Sequence, residues 1–169
     1  MTEFNYENEG INHINISPSS KSEIGRRLAV GYPATFHHPL LGGFKSMQQL
    51  HIWMKYKYHT QDVKNMELDE FEAYINTHRE SFKTKARKVQ GFRQIYEECL
   101  YHRIIQDPEL KQMVIENELP LVKYVGSDVA YNSVWLIPAV ERVIKAIKTG
   151  VEYPISMHVL YLIEQTAAE

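Results

Sequence analysis

Apolar residues return at helical spacing in one stretch of this chain after another, and prolines, glycines and capping residues cut the stretches apart. A chain patterned this way folds into short and medium helices whose apolar stripes close on a common core. Ser46 is placed as N-cap to a helix over residues 46–57, with Met47, Leu50, Trp53 and Met54 on one face and Gln48, Gln49 and Lys55 on the other. Asp69 caps a second helix that aligns Phe71, Tyr74, Ile75 and His78 and runs on into the basic stretch 83–88. A longer helix over residues 89–106 turns Phe92, Ile95, Tyr96 and Cys99 inward. Asp107 and Pro108 then stop that helix and start the next, which buries Leu110, Met113 and Val114, because a proline at the first helical position gives up no needed N–H. Pro138 opens a further helix with Val140, Val143, Ile144 and Ile147 inward and Gly150 just past its end, and a last helix covers residues 156–166.

The remaining segments carry no helical period. Residues 1–15 read as an irregular N-terminal segment, and a short helix follows over residues 23–29. Between Gly31 and Phe44, three glycines and two prolines leave a loop with at most one short strand. Residues 119–125 read as extended, with Pro120 restricting them to a strand start or a sheet edge. The expected fold is therefore a mainly α-helical α+β domain over residues 16–150 with one small β-sheet, and residues 151–169 pack on it as a C-terminal helical extension. At 169 residues and 44% hydrophobic, the chain can bury a core of its own without disulfide or metal staples.

Several function classes are excluded by what the chain lacks. Its formal charge of −2 creates no general attraction to phosphate, so a nucleic-acid contact would need a local patch. Cys99 is the single cysteine, which leaves no internal disulfide and points to a reducing, cytoplasmic setting. No stretch approaches the roughly 20 apolar residues of a membrane span, and the first residues lack the pattern of an export signal. No HExxH or CxxC spacing accompanies the eight histidines, so neither a metal nor a cofactor is expected. Cys99 lies on an apolar stripe, where a thiol is packing and not a nucleophile. Neither GxxxxGK[ST] nor GxGxxG occurs.

Two segments retain chemical interest. Four cations lie within Lys83–Lys88; a solvated helix face is the ordinary account of such a run, and a grip on a phosphate backbone is the functional one. In Ser20–Arg27, the hydroxyls of Ser20 and Ser22, the small Gly25 and the guanidinium groups of Arg26 and Arg27 converge on a helix start.

Three blocks in fixed order carry a resemblance to a known family: Ile16 to Leu28, then Gly43-Phe44-Lys45-Ser46-Met47-Gln48-Gln49, then Asp107 to Leu110 joined to Leu119-Pro120-Leu121 and Trp135 to Val143. Together they resemble the NADAR family of N-glycosidases, in a phage-type divergent form, over about residues 15–148. The resemblance implies recognition, and hydrolysis, of the N-glycosidic bond of an ADP-ribose-like or nucleotide substrate. It implies a pocket between the Ser22 loop and the Ser46 helix, lined by Ser20, Ser22, Gly25, Arg26, Arg27, Trp53 and Lys55. For a phage-encoded chain the setting is the host cytoplasm. Gln48 stands where the family carries a glutamate, which leaves Glu23 or a carboxylate among residues 67–72 to supply the charge that stabilises an oxocarbenium-like state. The alternative is a catalytically silent phage accessory or anti-defence protein that binds a host protein or nucleic acid. The oligomeric state is left open by both.

Overall fold

A computed structural model describes residues 4–56, 60–84, 88–125, 128–129 and 133–167. Its elements run β1 (Ile14–Asn15), α1 (Glu23–Leu28), β2 (Phe36–His38), β3 (Gly42–Phe44), α2 (Met47–Lys55), α3 (Thr60–Asn65), α4 (Leu68–Thr84), α5 (Phe92–Ile105), α6 (Pro108–Glu116), β4 (Leu121–Val122), β5 (Tyr124–Val125), β6 (Asp128–Val129), α7 (Ser133–Thr149) and α8 (Met157–Ala167). The fold is mainly helical with a minor β component, as the periodicity predicts. Among the described residues no helix is long and apolar enough to cross a membrane.

The hub is α5. It packs against α2, α6, α7, α8 and β2, and every residue from Ile95 to Tyr101 is buried. A helix enclosed on all sides must satisfy its polar residues internally, and Glu97, Glu98 and Arg103 are accordingly buried on it. Glu97 accepts from the Arg142 guanidinium on α7 and from the Tyr153 hydroxyl at 3.0 Å. Glu98 accepts from His38 Nε2 at 2.9 Å and from the Ser156 backbone N–H at 3.1 Å. The backbone N–H groups of Leu40 and Leu41 both donate to His38 Nδ1, which makes that nitrogen the acceptor and Nε2 the donor to Glu98. These two carboxylates tie the segment leading into α8 to the centre of the molecule.

Most of the predicted caps and stripes stand. Ser46 accepts from the Gln49 N–H at 3.1 Å to cap α2, whose Leu50, Trp53 and Met54 are buried. Asp107 accepts from the Leu110 N–H at 3.0 Å, with Pro108 at the head of α6. Val140, Val143, Ile144 and Ile147 line the buried side of α7, and Gly150 beyond it takes φ +71°. In α4, Phe71 is buried and Tyr74, Ile75 and His78 are half-buried.

Six expectations need correction. Residues 4–15 are not irregular: a 3-10 turn over Tyr6–Asn8 leads to β1, and Glu9, His13 and Asn15 are buried. Residues 31–44 form a hairpin of two strands, in which Phe36 opposes Phe44 with ring centroids 5.7 Å apart and Gly42 turns the chain at φ +80°. Among the described residues, instead of one sheet there are three pairs: β1 with β4 in parallel, β2 with β3, and β5 with β6. Pro138 does not open α7; the helix starts at Ser133 and runs through it, at the cost of the hydrogen bond that its missing N–H would make. Gln49 faces inward with the apolar side of α2, because its amide donates to the Val63 and Met66 carbonyls at 2.9 and 3.1 Å and accepts from the Lys45 N–H at 2.8 Å. Asp69 lies one residue inside α4, where it accepts from the Glu70 N–H.

Candidate functional site

The hydroxyl-rich loop before α1 closes on a buried carboxylate that the sequence reading passed over. Ser22 caps α1 by accepting from the Gly25 N–H at 3.2 Å, and its Oγ lies 2.9 Å from that of Ser20. The Ser20 hydroxyl in turn donates to Glu9 Oε1, to which the Asn15 N–H also donates at 3.4 Å. Glu9 is 4% exposed, and its Oε2 has no hydrogen-bond partner among the described residues. Gly25 makes the approach feasible, since a Cβ there would collide with the Ser20 hydroxyl and the Asn15 carbonyl.

The wall beside Glu9 comes from the far end of the chain. The side chain of Asn15 pairs with the backbone of Tyr124, donating to its carbonyl at 3.3 Å and accepting from its N–H at 3.1 Å. The Tyr124 hydroxyl lies 3.1 Å from His13 Nε2. Burial, and next the Glu9 carboxylate, push the Tyr124 phenol above its ordinary pKa. Burial pulls the His13 imidazole below its own, against the opposing pull of Glu9. A carboxylate, an imidazole and a phenol thus sit together with two serine hydroxyls.

The two arginines expected to line the substrate pocket are both engaged within the fold. Arg26 Nη1 donates to the Ser20 and Lys21 carbonyls at 2.7 and 2.8 Å, which closes the loop upon α1. Arg27 is held by Glu109 at 2.6 Å, Glu23 at 2.9 Å and Asp107 at 3.3 Å, and the Glu109 hydrogen bond is the main cause of its raised pKa. Glu23 therefore faces Arg27 and not the serine cluster. Behind Arg27 lies a cation that carries no such partner. Arg103, from α5, is 1% exposed; its Nη2 donates to the Arg27 carbonyl, its Nε and Nη1 have no hydrogen-bond partner among the described residues, and its guanidinium lies 5.7 Å from the centre of the Tyr32 ring. Burial pulls its pKa down. The signal for it was an arginine four residues beyond Cys99 on the buried stripe of α5, where a solvent-facing cation does not belong.

On α2, Gln48 is half-buried. Its N–H donates to the Val30 carbonyl at 2.8 Å, and its side-chain oxygen leans on Gly31, 3.1 Å from where a Cβ would stand. Gln48 thus meets the segment that carries Tyr32, and no hydrogen bond joins it to the Ser20 cluster among the described residues. Trp53 is a core residue packed at 5.5 Å on Phe44, and Lys55 lies over the Phe92 ring at 4.5 Å. Neither is brought to Ser20, and α1 packs against α6 and β1. A cleft of about 400 Å³ lies elsewhere, between residues 117–121 and the outer face of α7. Cys99 is fully buried, and burial pushes its thiol up, as suits packing. Among the described residues no three His, Cys, Asp or Glu side chains gather at a metal's reach. Of the basic run, the side chains of residues 83–87 lie outside the described residues.

No family model, curated protein or solved structure matches the chain.

Proposed function

We propose that this chain recognises an ADP-ribose-like or nucleotide N-glycoside and hydrolyses its glycosidic bond, with Glu9 supplying the carboxylate that Gln48 cannot. The observation that carries the reading is the buried Glu9 side chain, held through one oxygen by Ser20 and Asn15 and flanked by the Tyr124 phenol. A carboxylate positioned in this way can take a proton from a water that attacks the anomeric carbon, while the electron pair of the breaking C–N bond leaves with the base nitrogen, which then takes a proton. The same negative charge stabilises the oxocarbenium-like state that forms between the two events. Ser20 orients the carboxylate, and Gly25 lets the loop come near enough to do so. Gln48 keeps a role in binding, because its amide retains the hydrogen-bonding capacity of a carboxylate without the charge.

The test follows base release from ADP-ribosylated nucleobases and from NAD by chromatography, with binding measured by calorimetry. Glu9→Gln is expected to slow release by about a hundredfold to a thousandfold while leaving binding in place, by analogy with other lost charge-stabilising groups. Release that persists undiminished in this variant would refute the role of Glu9. Gln48→Glu is expected to raise turnover if the ligand's anomeric centre comes near α2. A second reading, a catalytically silent binder of a host protein or nucleic acid, is favoured by the three carboxylates that occupy Arg27. Absence of both binding and release with every substrate would select it.

A further inference from the structure

We propose that Arg103 forms the floor of a phosphate-binding site that the Tyr32 side chain covers. A guanidinium presents five N–H groups, and among the described residues only Nη2 has an acceptor, leaving the Nε–H and both Nη1–H groups without one. Buried charges are normally paired, and a buried cation with three idle donors is the kind of exception that a ligand explains. The nearest carboxylate does not fill the gap: Asp107 is committed to Arg27 through both oxygens and to the cap of α6. The other groups around the guanidinium are the phenols of Tyr32 and Tyr96 and the neighbouring Arg27 cation. An acceptor is missing on the Nε and Nη1 side, and a phosphate offers several charged oxygens to such a donor set.

Access is provided by the segment between α1 and β2. It is pinned at Val30, whose carbonyl accepts from the Gln48 N–H, and again at Ala34, whose N–H donates to the Lys45 carbonyl at 3.0 Å. Tyr32 lies between these two anchors and is half-buried, while its neighbours Gly31 and Pro33 are exposed. Swinging the Tyr32 ring outward therefore opens the guanidinium without disturbing the helices on either side. The proposal rests on the ligand reading above only in taking a nucleotide as the source of the phosphate; the Arg103 site itself is tested by an inorganic anion.

The experiment titrates the whole chain with inorganic pyrophosphate, and separately with ADP-ribose and adenosine, by calorimetry. Wild type is expected to bind pyrophosphate, Arg103→Met to bind it at least tenfold more weakly with an unchanged circular dichroism spectrum, and Tyr32→Ala to bind it more tightly because the cover is gone. Pyrophosphate binding by Arg103→Met at wild-type strength, or none by wild type and Tyr32→Ala alike, would overturn the site. Should Arg103→Met fail to fold, the Tyr32→Ala titration decides: tighter binding supports the site and unchanged binding overturns it. Pyrophosphate binding that depends on Tyr32 and Arg103, with no binding of ADP-ribose, leaves the anion site standing and refutes the nucleotide reading alone.

Discussion

At the scale of single residues, the fold depends on a few polar groups taken out of water, and these titrate. His51 sits edge-on to Phe92 at 5.2 Å, and its pKa is pulled down to about 4, by burial first and by Lys55 second. The folded chain therefore keeps it neutral where the unfolded chain, with an ordinary value near 6.5, takes up a proton. Its contribution is full above about pH 6.5 and is lost as the pH falls towards 4, at a cost of about 2 kcal/mol between pH 7 and pH 5. Urea unfolding at these two pH values should show that loss, and His51→Leu should reduce it; His13 and His102, whose values are also lowered, leave a residual slope of the same sign. Gly25→Ala is expected to cost about 2 kcal/mol, because its Cβ meets a backbone carbonyl that cannot step aside. A melting temperature within a degree or two of wild type would show that the Ser20 loop yields. Neither residue could be weighed from the sequence, where a histidine and a glycine on helices have no visible neighbours. Ser46 and Asp107 were legible because a cap and its helix lie within three residues.

At the scale of elements, local signals served where the partner is local. The stripes of α2, α5, α6 and α7 were read in the main from spacing alone, since burial of a helix face needs only a core to face, although Phe92 and Met113 are only half-buried and Gln49 joins the inner face of α2. Pairing between strands was not legible in the same way. The hairpin β2–β3 is built from three-residue strands, too short for an alternation to register, and it holds because Phe36 and Phe44 stack while His38 is secured by Glu98. Pro138 misled for a related reason: a proline is a strong start signal, yet the apolar face of α7 extends back to Leu136, which is 2% exposed and rewards the earlier turn. The junction of α5 and α6 is the place to test capping. Asp107→Ala removes both the α6 cap and one of three anionic partners of Arg27, so a loss of about 1–2 kcal/mol is expected in chemical denaturation. Asp107→Asn, which keeps the cap acceptor, should recover most of it.

At the scale of the whole molecule, α5 is a post to which the C-terminal end of the chain is fastened. The C-terminal end is held by Tyr153 on Glu97, by the Ser156 N–H on Glu98, and by the buried Val159 and Leu162 of α8. Truncation after Gly150 should therefore cost about 3 kcal/mol or more, from lost apolar burial and from two interior carboxylates deprived of donors. Dye binding to exposed apolar surface and a lowered melting temperature would report it, and a truncated chain as stable as the parent would show that α8 is an accessory. The Glu9 cluster was illegible in the sequence because the groups that wall it stand at opposite ends of the chain, and no window of residues contains both. The β1–β4 pairing has a further consequence in time. Asn15 and Tyr124 are 109 residues apart, so on a ribosome adding about 5–20 residues per second the first strand waits roughly 5–20 s for its mate. During that interval Glu9 and His13 stay hydrated, and the hydroxyl-rich loop has no wall to fold against. The Glu9 cluster is thus assembled late, after α1 and α2 exist, and a nascent chain halted before residue 119 would carry those helices without the Tyr124 wall.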